Sequence, residues 1–386
     1  MKDETISIRT QAERTENREH SVPLYLTSSY VFEDAEDMRA RFAEEKSGPL
    51  YSRYSNPNTD EFIEKMKLLE GAEDGFATAT GMSAVFTTLM GLLEAGDHIV
   101  ASRAVFGSTH QLFTLVLPKY GITTSYVDGN EGDWDAAFTD KTKLVFIETP
   151  SNPGLEILDI QRISDCAKKH GAQVVIDNCF ATPIIQKPIA LGADVVIHSA
   201  TKYIDGQGRV LGGVILCSAE NMTKIRYFAR HSGPAMSPFN AWVLSKSLET
   251  LALRVERHSE NAAHVAELLE KHEKVGRVIY PFLESHPNYD LAKKQMKYGG
   301  GIVSFELKGG LEAGRKFLDN SGWFSLSANL GDTRTIATHP ASTTHAKLAP
   351  EERQQVGITD GLVRLSVGLE NRNDLVDQLI KTLSNV

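Results

Sequence analysis

A lysine follows an apolar run near the middle of the chain and stands just after two hydroxyl side chains. The run at residues 195–197 leads into "HSATK", which places Ser199 and Thr201 before Lys202, and the glycine-rich stretch "GQGRVLGG" comes next. An amine at the end of a buried strand is partly desolvated, so its pKa falls and it becomes a nucleophile that can form a Schiff base. The alternative is an ordinary surface lysine whose charge reaches water.

An aspartate ends the preceding predicted strand. The run "QVVID" is apolar up to Asp177, so this carboxylate is poorly solvated and needs a cation or strong hydrogen bonds. A structural ion pair or a cap would satisfy it equally well. A strand-end aspartate followed by a strand-end lysine also matches pyridoxal 5'-phosphate chemistry, in which the lysine forms the Schiff base and the acid holds the pyridinium nitrogen. Asp177 and Lys202 together therefore predict this cofactor.

A phosphate group would need hydrogen-bond donors at the same edge of the sheet. Gly81 and Met82 open a predicted helix directly after a strand, where backbone N–H groups and the helix dipole attract anions. Ser199 and Thr201 add hydroxyls, although a tight turn and local backbone capping would explain all four residues. The dinucleotide fingerprint is incomplete, since "GQGRVLG" has Leu211 where its third glycine belongs, and no P-loop motif is present. A phosphate bound here belongs to neither NAD nor ATP.

The predicted elements bring these residues to one edge. Apolar runs alternate with amphipathic stretches from residue 75 onward, which predicts an α/β domain with a mostly parallel sheet covered on both faces. Residues 61–247 are assigned to this domain, and residues 1–60 to an irregular N-terminal arm. Residues 248–386 begin with a predicted long helix over 248–273 and are assigned to a smaller α+β domain. Ligands of open α/β sheets bind beyond the carboxyl ends of the strands, where Phe106 and Asn152 also fall.

Composition narrows the class of protein. The 386 residues suffice for two domains, and 41 Lys and Arg against 50 Asp and Glu give a net charge of −9, which disfavours a nucleic-acid partner. No apolar run approaches the roughly 18 residues of a membrane helix, and the first residues lack a signal-peptide core. The three cysteines have no C-x-x-C spacing and are expected to be buried thiols. We expect a cytoplasmic protein without a metal site.

The sequence resembles the Cys/Met-metabolism family of pyridoxal-phosphate enzymes, in the cystathionine γ-synthase-like group. The resemblance covers nearly the whole chain from about residue 18. It rests on several motifs in the family's order: "YSRYSNP" at 51–57, "ATGMSA" at 79–84, "ETPSNP" at 148–153, "VVIDN" at 174–178, "SATKYIDGQGRVLGG" at 199–213, "HPASTTH" at 339–345 and "VRLSVGLE" at 363–370. It implies the fold type I, aspartate aminotransferase-like architecture of pyridoxal-phosphate transferases.

The resemblance also implies a role for each matched residue. Lys202 would carry the cofactor as a Schiff base and move protons, and Asp177 would keep the pyridine nitrogen protonated. The phosphate would be bound by Gly81, Met82, Ser199 and Thr201, and by Tyr51 and Arg53 of a neighbouring subunit. The expected assembly is a homo-oligomer, a tetramer built from dimers that share active sites. Phe106 would stack on the cofactor ring and Asn152 would approach its hydroxyl. Tyr51 would also act in catalysis. Tyr51 and Asn329 would contact the substrate, and Arg364 would clamp the substrate carboxylate.

The reaction expected from the resemblance is a γ-replacement in methionine biosynthesis. Phe106, where many members have tyrosine, together with Tyr54 and Asn329, is most similar to the members that use O-succinylhomoserine. These would convert the ester and sulfide into homocysteine and succinate. The acetyl ester, cysteine as the sulfur donor, and a γ-lyase reaction remain open. A non-catalytic homologue that acts as a binding protein is a further alternative. Without the resemblance, Arg364 would be interpreted as a surface charge on a strand.

Overall fold

The fold is taken from a computed structural model, which describes residues 1–344, 346–347, 353 and 357–386. His345, the last residue of the "HPASTTH" motif, lies outside the described residues. The helices are α1 Asp3–Arg9, α2 Ala35–Phe42, α3 Pro57–Glu70, α4 Gly81–Leu92, α5 Gly107–Gln111, α6 Ile160–Lys169, α7 Thr182–Ile185, α8 Ala219–Ser232, α9 Pro238–Leu248, α10 Leu251–Glu270, α11 Tyr289–Gln295, α12 Gly310–Asp319 and α13 Arg372–Ser384. The strands are β1 Asp74–Thr78, β2 His98–Ser102, β3 Thr123–Val127, β4 Thr142–Glu148, β5 Gln173–Asp177, β6 Val195–Ser199, β7 Gly213–Cys217, β8 Val275–Ile279, β9 Ile302–Leu307, β10 Ser325–Leu326, β11 Ile336–Thr338 and β12 Leu362–Ser366.

Seven strands form the central sheet in the order β1-β7-β6-β5-β4-β2-β3. The strands β6, β5, β4, β2 and β3 are mutually parallel, and β7 is antiparallel to both β1 and β6. Along β4, Val145 and Ile147 belong to one buried cluster, while Leu144 and Phe146 belong to the cluster on the other face. Both faces of the sheet are therefore covered, as the continuous apolar runs predict.

The carboxyl ends of three parallel strands are aligned by their register. Glu148 at the end of β4 pairs with Asp177 at the end of β5, and Asp177 pairs with Ile197 on β6. The loop after β6 then delivers Lys202. The helix α4 begins at the same edge, where the Thr80 hydroxyl accepts a hydrogen bond from the Ser83 N–H and caps the helix.

A second sheet of five strands, in the order β10-β11-β12-β9-β8, lies in the C-terminal part of the chain. Its pairs are antiparallel except for β10 and β11. The fold is thus α/β with a mostly parallel central sheet and a separate C-terminal sheet domain, as expected. The boundaries at residues 60 and 247 stay a prediction. Within the described ranges, no helix combines the length and the apolar character needed to cross a bilayer.

Four local predictions differ from the structure. The arm at residues 1–60 is not wholly irregular, because α1 and α2 lie within it. The helix predicted over 248–273 is shorter, since α10 starts at Leu251 after a break that separates it from α9. The amphipathic stretch between β2 and β3 does not form one α-helix, because it passes from α5 through a π-helical turn to a 3₁₀ turn that contains Pro118. The edge strand β3 was not predicted, since its residues are not apolar throughout.

Candidate functional site

A cavity of about 250 Å³ opens at the carboxyl edge of the central sheet. Most of the residues predicted to hold the cofactor line it. They are Gly81, Met82, Phe106, Asn152, Asp177, Ser199, Thr201 and Lys202. They come from five separate segments of the chain, so the alignment of the strand ends accounts for their convergence.

The Lys202 amine lies half-buried on the cavity wall. Burial lowers the pKa of this amine, and the Arg364 guanidinium lowers it further, whereas the nearby Cys179 and Asp177 raise it. The Lys202 Nζ donates a hydrogen bond of 2.8 Å to the Asn329 Oδ1. The amine is therefore both easier to deprotonate than a surface lysine and held in one direction, which is what a nucleophile or a proton carrier requires.

Asp177 is enclosed by protein except where it borders the cavity. Burial raises the pKa of its carboxyl, while a hydrogen bond from the Cys179 N–H to Oδ1, 3.0 Å long, and the charges of His198 and Lys202 act in the opposite direction. A carboxylate in this position is stabilised by a cation placed in the cavity. A protonated pyridine nitrogen would supply that cation.

The wall around Gly81 fits a phosphate group. A Cβ built on Gly81 would come within 2.5 Å of the Ser199 Cβ, so only glycine allows the first turn of α4 to approach the end of β6 so closely. The turn then presents its N–H groups toward the cavity edge. The Thr201 hydroxyl is engaged with Gly212, donating to its carbonyl at 3.3 Å and accepting from its N–H at 3.1 Å. It keeps one acceptor lone pair beyond these contacts.

Glu148 is a residue of the site that sequence reasoning missed. Its carboxyl is buried beside Asp177, and its Oε2 accepts a 2.6 Å hydrogen bond from the Phe106 N–H. Burial, and then the Asp177 charge, raise its pKa well above the usual range. Glu148 thereby fixes the backbone of Phe106, whose ring is 41% exposed on the cavity wall. The available signal was an acidic side chain at the end of an apolar strand, the same pattern that singled out Asp177.

Arg364 is buried on β12 and is not a surface charge. Its Nη1 donates to the Asn152 Oδ1 at 2.9 Å and its Nη2 donates to the Asn329 carbonyl at 3.1 Å. Burial lowers the pKa of the guanidinium to about 10. Among the described residues, its Nε has no hydrogen-bond partner. A buried guanidinium with a free N–H is suited to a planar anion such as a carboxylate.

Tyr51 and Arg53 lie outside the cavity within the single chain. Tyr51 is 40% exposed, and Arg53 donates a hydrogen bond to the Arg230 carbonyl and stacks over the Tyr54 ring with 4.7 Å between the guanidinium carbon and the ring centroid. Neither side chain lines the cavity that contains Lys202. Their expected contact with the cofactor of a neighbouring subunit stays a prediction.

Comparisons with known proteins decide the family. The sequence matches the family described as Cys/Met metabolism PLP-dependent enzymes over residues 4–384. The chain belongs to this family. It is 47% identical over 382 residues to an O-succinylhomoserine sulfhydrylase of Pseudomonas aeruginosa, covering 99% of this chain and 95% of that protein. An L-methionine gamma-lyase of Fusobacterium nucleatum is 44% identical over 370 residues, covering 95% and 94%.

A solved structure supports the same assignment. A Campylobacter jejuni protein whose crystal structure contains N'-pyridoxyl-lysine-5'-monophosphate superimposes with a TM-score of 0.95 at 35% identity, covering all of both chains. This chain is a pyridoxal-phosphate-dependent enzyme of sulfur amino-acid metabolism that acts at the γ position. The cavity fits the cofactor, because it combines the Lys202 amine of lowered pKa, the buried Asp177 carboxyl group and the helix start at Gly81.

Proposed function

We propose that this enzyme converts O-succinylhomoserine and sulfide into homocysteine and succinate. The observation that carries the proposal is the contact between Lys202 and Asn329 beside Arg364, in a chain 47% identical to an O-succinylhomoserine sulfhydrylase. Asn329 was one of the residues that pointed to the succinyl-ester members. Sulfide is small, so few side chains are needed to recognise it.

Pyridoxal phosphate, once bound, supplies an electron sink that stabilises negative charge next to the amino group of the substrate. Lys202 would hold the cofactor covalently through Nζ and would then take the proton from Cα. The lowered pKa of the amine favours the neutral form that accepts this proton. Asp177 would keep its negative charge opposite the ring nitrogen, which preserves the electron sink.

Arg364 and Asn329 would position the substrate. The Arg364 guanidinium would bind the substrate carboxylate through its Nε and one Nη, while Asn152 and the Asn329 carbonyl hold the fork in place. The Asn329 side chain would keep the Lys202 amine directed toward Cα. After a second proton leaves Cβ, the Cγ–O bond would break with its electron pair leaving on succinate. Hydrosulfide would form the new Cγ–S bond, and protons would return to Cβ and Cα to give homocysteine.

A complete site would need a second chain. We propose that Tyr51 and Arg53 reach the phosphate bound by a neighbouring subunit, since neither lines the cavity of its own chain. The enzyme would then be a homo-oligomer, with the tetramer as the expected form. A mixture of chains carrying either Arg53→Ala or Lys202→Ala would regain activity in this arrangement, because some sites would contain neither substitution.

The experiment that tests the reaction pairs two esters with two sulfur donors. Steady-state kcat/KM is measured for O-succinyl- and O-acetylhomoserine, each with sulfide and with cysteine, and Lys202→Ala serves as the inactive control. We expect the succinyl ester with sulfide to be the fastest pair. A faster acetyl ester would overturn the assigned ester, and faster reaction with cysteine would make the enzyme a cystathionine synthase.

The alternative reaction is elimination, which the 44% identical methionine gamma-lyase favours. Elimination would release ammonia and 2-oxobutanoate in place of homocysteine. Measuring these products with the ester and with methionine, in the presence and absence of sulfide, separates the two reactions. Borohydride treatment should fix the cofactor onto native protein and not onto Lys202→Ala, whereas a non-catalytic binding protein would give no such adduct.

A further inference from the structure

A second cluster of reactive side chains lies at the opposite edge of the central sheet. Asp135 begins a short 3₁₀ turn, Cys166 lies on α6 and His170 follows the last residue of α6. One ligand atom of each lies within 4.8 Å of the others. The chain runs from His170 into the start of β5, whose far end is Asp177. A five-residue strand spans about 13 Å, so the cluster is separate from the candidate catalytic site.

The separations within the cluster are close to those of a tetrahedral metal site. The His170 Nε2 is 2.8 Å from the Asp135 Oδ1, and the Cys166 Sγ is 3.8 Å from the same oxygen. Zinc bonds of about 2.3 Å to sulfur and about 2.0–2.1 Å to nitrogen and oxygen place ligand atoms about 3.3–3.6 Å apart in a tetrahedron. The two distances to the Asp135 Oδ1 therefore need to change by no more than about 0.6 Å to accept an ion, and the Cys166 sulfur lies within 4.8 Å of the His170 nitrogen.

The local structure supports this geometry. Cys166 and His170 are four residues apart, so both project from one face of the α6 end. The His170 ring stacks on the Phe138 ring, with 4.2 Å between centroids and 10° between planes, which limits the directions that Nε2 can take. Asp135 reaches the pair from a different segment, with 73% of its side chain exposed. The cluster thus has three ligands on two segments and one side open to water.

We propose that Asp135, Cys166 and His170 form a zinc-binding site, with water as the fourth ligand. The combination of a thiolate, an imidazole and a carboxylate suits Zn²⁺. It does not suit Mg²⁺ or Ca²⁺, which prefer oxygen ligands only. Binding replaces the thiol proton, which passes to the buffer, and the imidazole binds as the neutral form through Nε2. The two negative ligands then balance the charge of the ion. This proposal departs from the sequence expectation of a protein without a metal site.

The site would stabilise the fold and not take part in the reaction. The ion would join the 3₁₀ turn before β4 to the end of α6. The side chains of Asp135, Cys166 and His170 already connect these two segments. An ion that binds only the folded protein raises its stability by mass action. Zinc should therefore raise the melting temperature without changing kcat.

The test uses the untagged holoenzyme after dialysis against a chelator. The protein is equilibrated with Zn²⁺, and the bound metal is measured by elemental analysis. We expect one zinc per chain, and at least a tenfold weaker affinity in Cys166→Ser and in His170→Gln. With Co²⁺ in place of zinc, the native protein should show the intense visible d–d bands of a four-coordinate site.

A matched control is Asp133→Asn, a neighbouring exposed aspartate whose replacement changes the charge as Asp135→Asn does. Asp133→Asn should keep both the stoichiometry and the zinc-dependent rise in melting temperature, whereas Asp135→Asn should lose them. All four variants should retain native kcat, which shows that each is folded. The proposal is wrong if native protein retains no zinc, or if Cys166→Ser and His170→Gln bind as much as native protein, because the ion would then be bound elsewhere.

Discussion

Replacing Arg364 by lysine should weaken the reaction strongly, although the positive charge is kept. The guanidinium is buried, two of its nitrogens are already held by Asn152 and the Asn329 carbonyl, and its Nε has no partner among the described residues. This arrangement presents a fork of fixed direction to a substrate carboxylate. A lysine ammonium is a point charge on a flexible stem and cannot make the two parallel bonds.

The size of the effect follows from the bonds that are lost. A hydrogen bond to a charged group contributes about 1.5–3 kcal/mol, and Arg364→Lys removes about one of the two bonds to the carboxylate. We therefore expect kcat/KM to fall about 10- to 150-fold. Arg364→Met removes both bonds together with the charge and should cost more than about 100-fold.

The decisive assay compares the substrate with its α-carboxamide analogue. Native enzyme should strongly prefer the carboxylate, whereas Arg364→Met should use the two with kcat/KM values within about threefold of each other, since the group that distinguishes them is gone. Arg334→Met, which removes an exposed arginine paired with Asp332, is the control and should keep the native preference. The reasoning is refuted if Arg364→Met keeps the native preference for the carboxylate. Arg364 would then act by fixing Asn152 and Asn329 and not by binding substrate.

Three further outcomes are expected from buried polar contacts. Asn329→Ala removes the hydrogen-bond acceptor of the Lys202 amine. Losing this hydrogen bond, which contributes about 1–1.5 kcal/mol to holding the amine in place, should lower kcat about tenfold. The melting temperature should stay near that of the native protein. Burial lowers the pKa of His258 to about 4, below the 6.5 of an unfolded histidine. The unfolded chain therefore binds the proton first, and the free energy of unfolding falls as the pH drops from about 6.5 to about 4. Urea unfolding of His258→Gln over this pH range should show a decrease that is smaller by about 3 kcal/mol. Glu70→Gln removes the carboxylate that is hydrogen-bonded to the buried His198 imidazole at 2.6 Å. It should cost about 1.5–3 kcal/mol in the same assay, of which part returns when His198→Gln is added.

The residues at the ends of the parallel strands were predictable from the sequence. Asp177 and Lys202 each follow a short apolar run, and parallel strands of one sheet bring their carboxyl ends to a common edge. The helix start at Gly81 obeys the same rule. No knowledge of side-chain contacts was needed for these positions, because strand periodicity and sheet direction determine where they lie.

Arg364 and Asn329 could not be placed by local pattern. Arg364 lies in the antiparallel sheet of the C-terminal domain, and its burial results from the packing of that sheet against the segment around Asn152, which is distant in sequence. Only the resemblance pointed to it. The break between α9 and α10 was missed for a related reason, since both helices carry apolar residues at helical spacing and tertiary packing decides where one ends.

The two carboxyl groups at the ends of β4 and β5 have different roles in the site. Glu148 and Asp177 are register partners, and burial raises the pKa of each, so two negative charges side by side would be costly. The surroundings are unequal: His198 and Lys202 favour the charged form of Asp177, whereas the Asp177 charge itself opposes ionisation of Glu148. These unequal charges favour the proton on Glu148 over the proton on Asp177. Asp177 is thereby the better suited of the two to pair with a pyridine nitrogen, while Glu148 holds the Phe106 backbone by accepting its N–H.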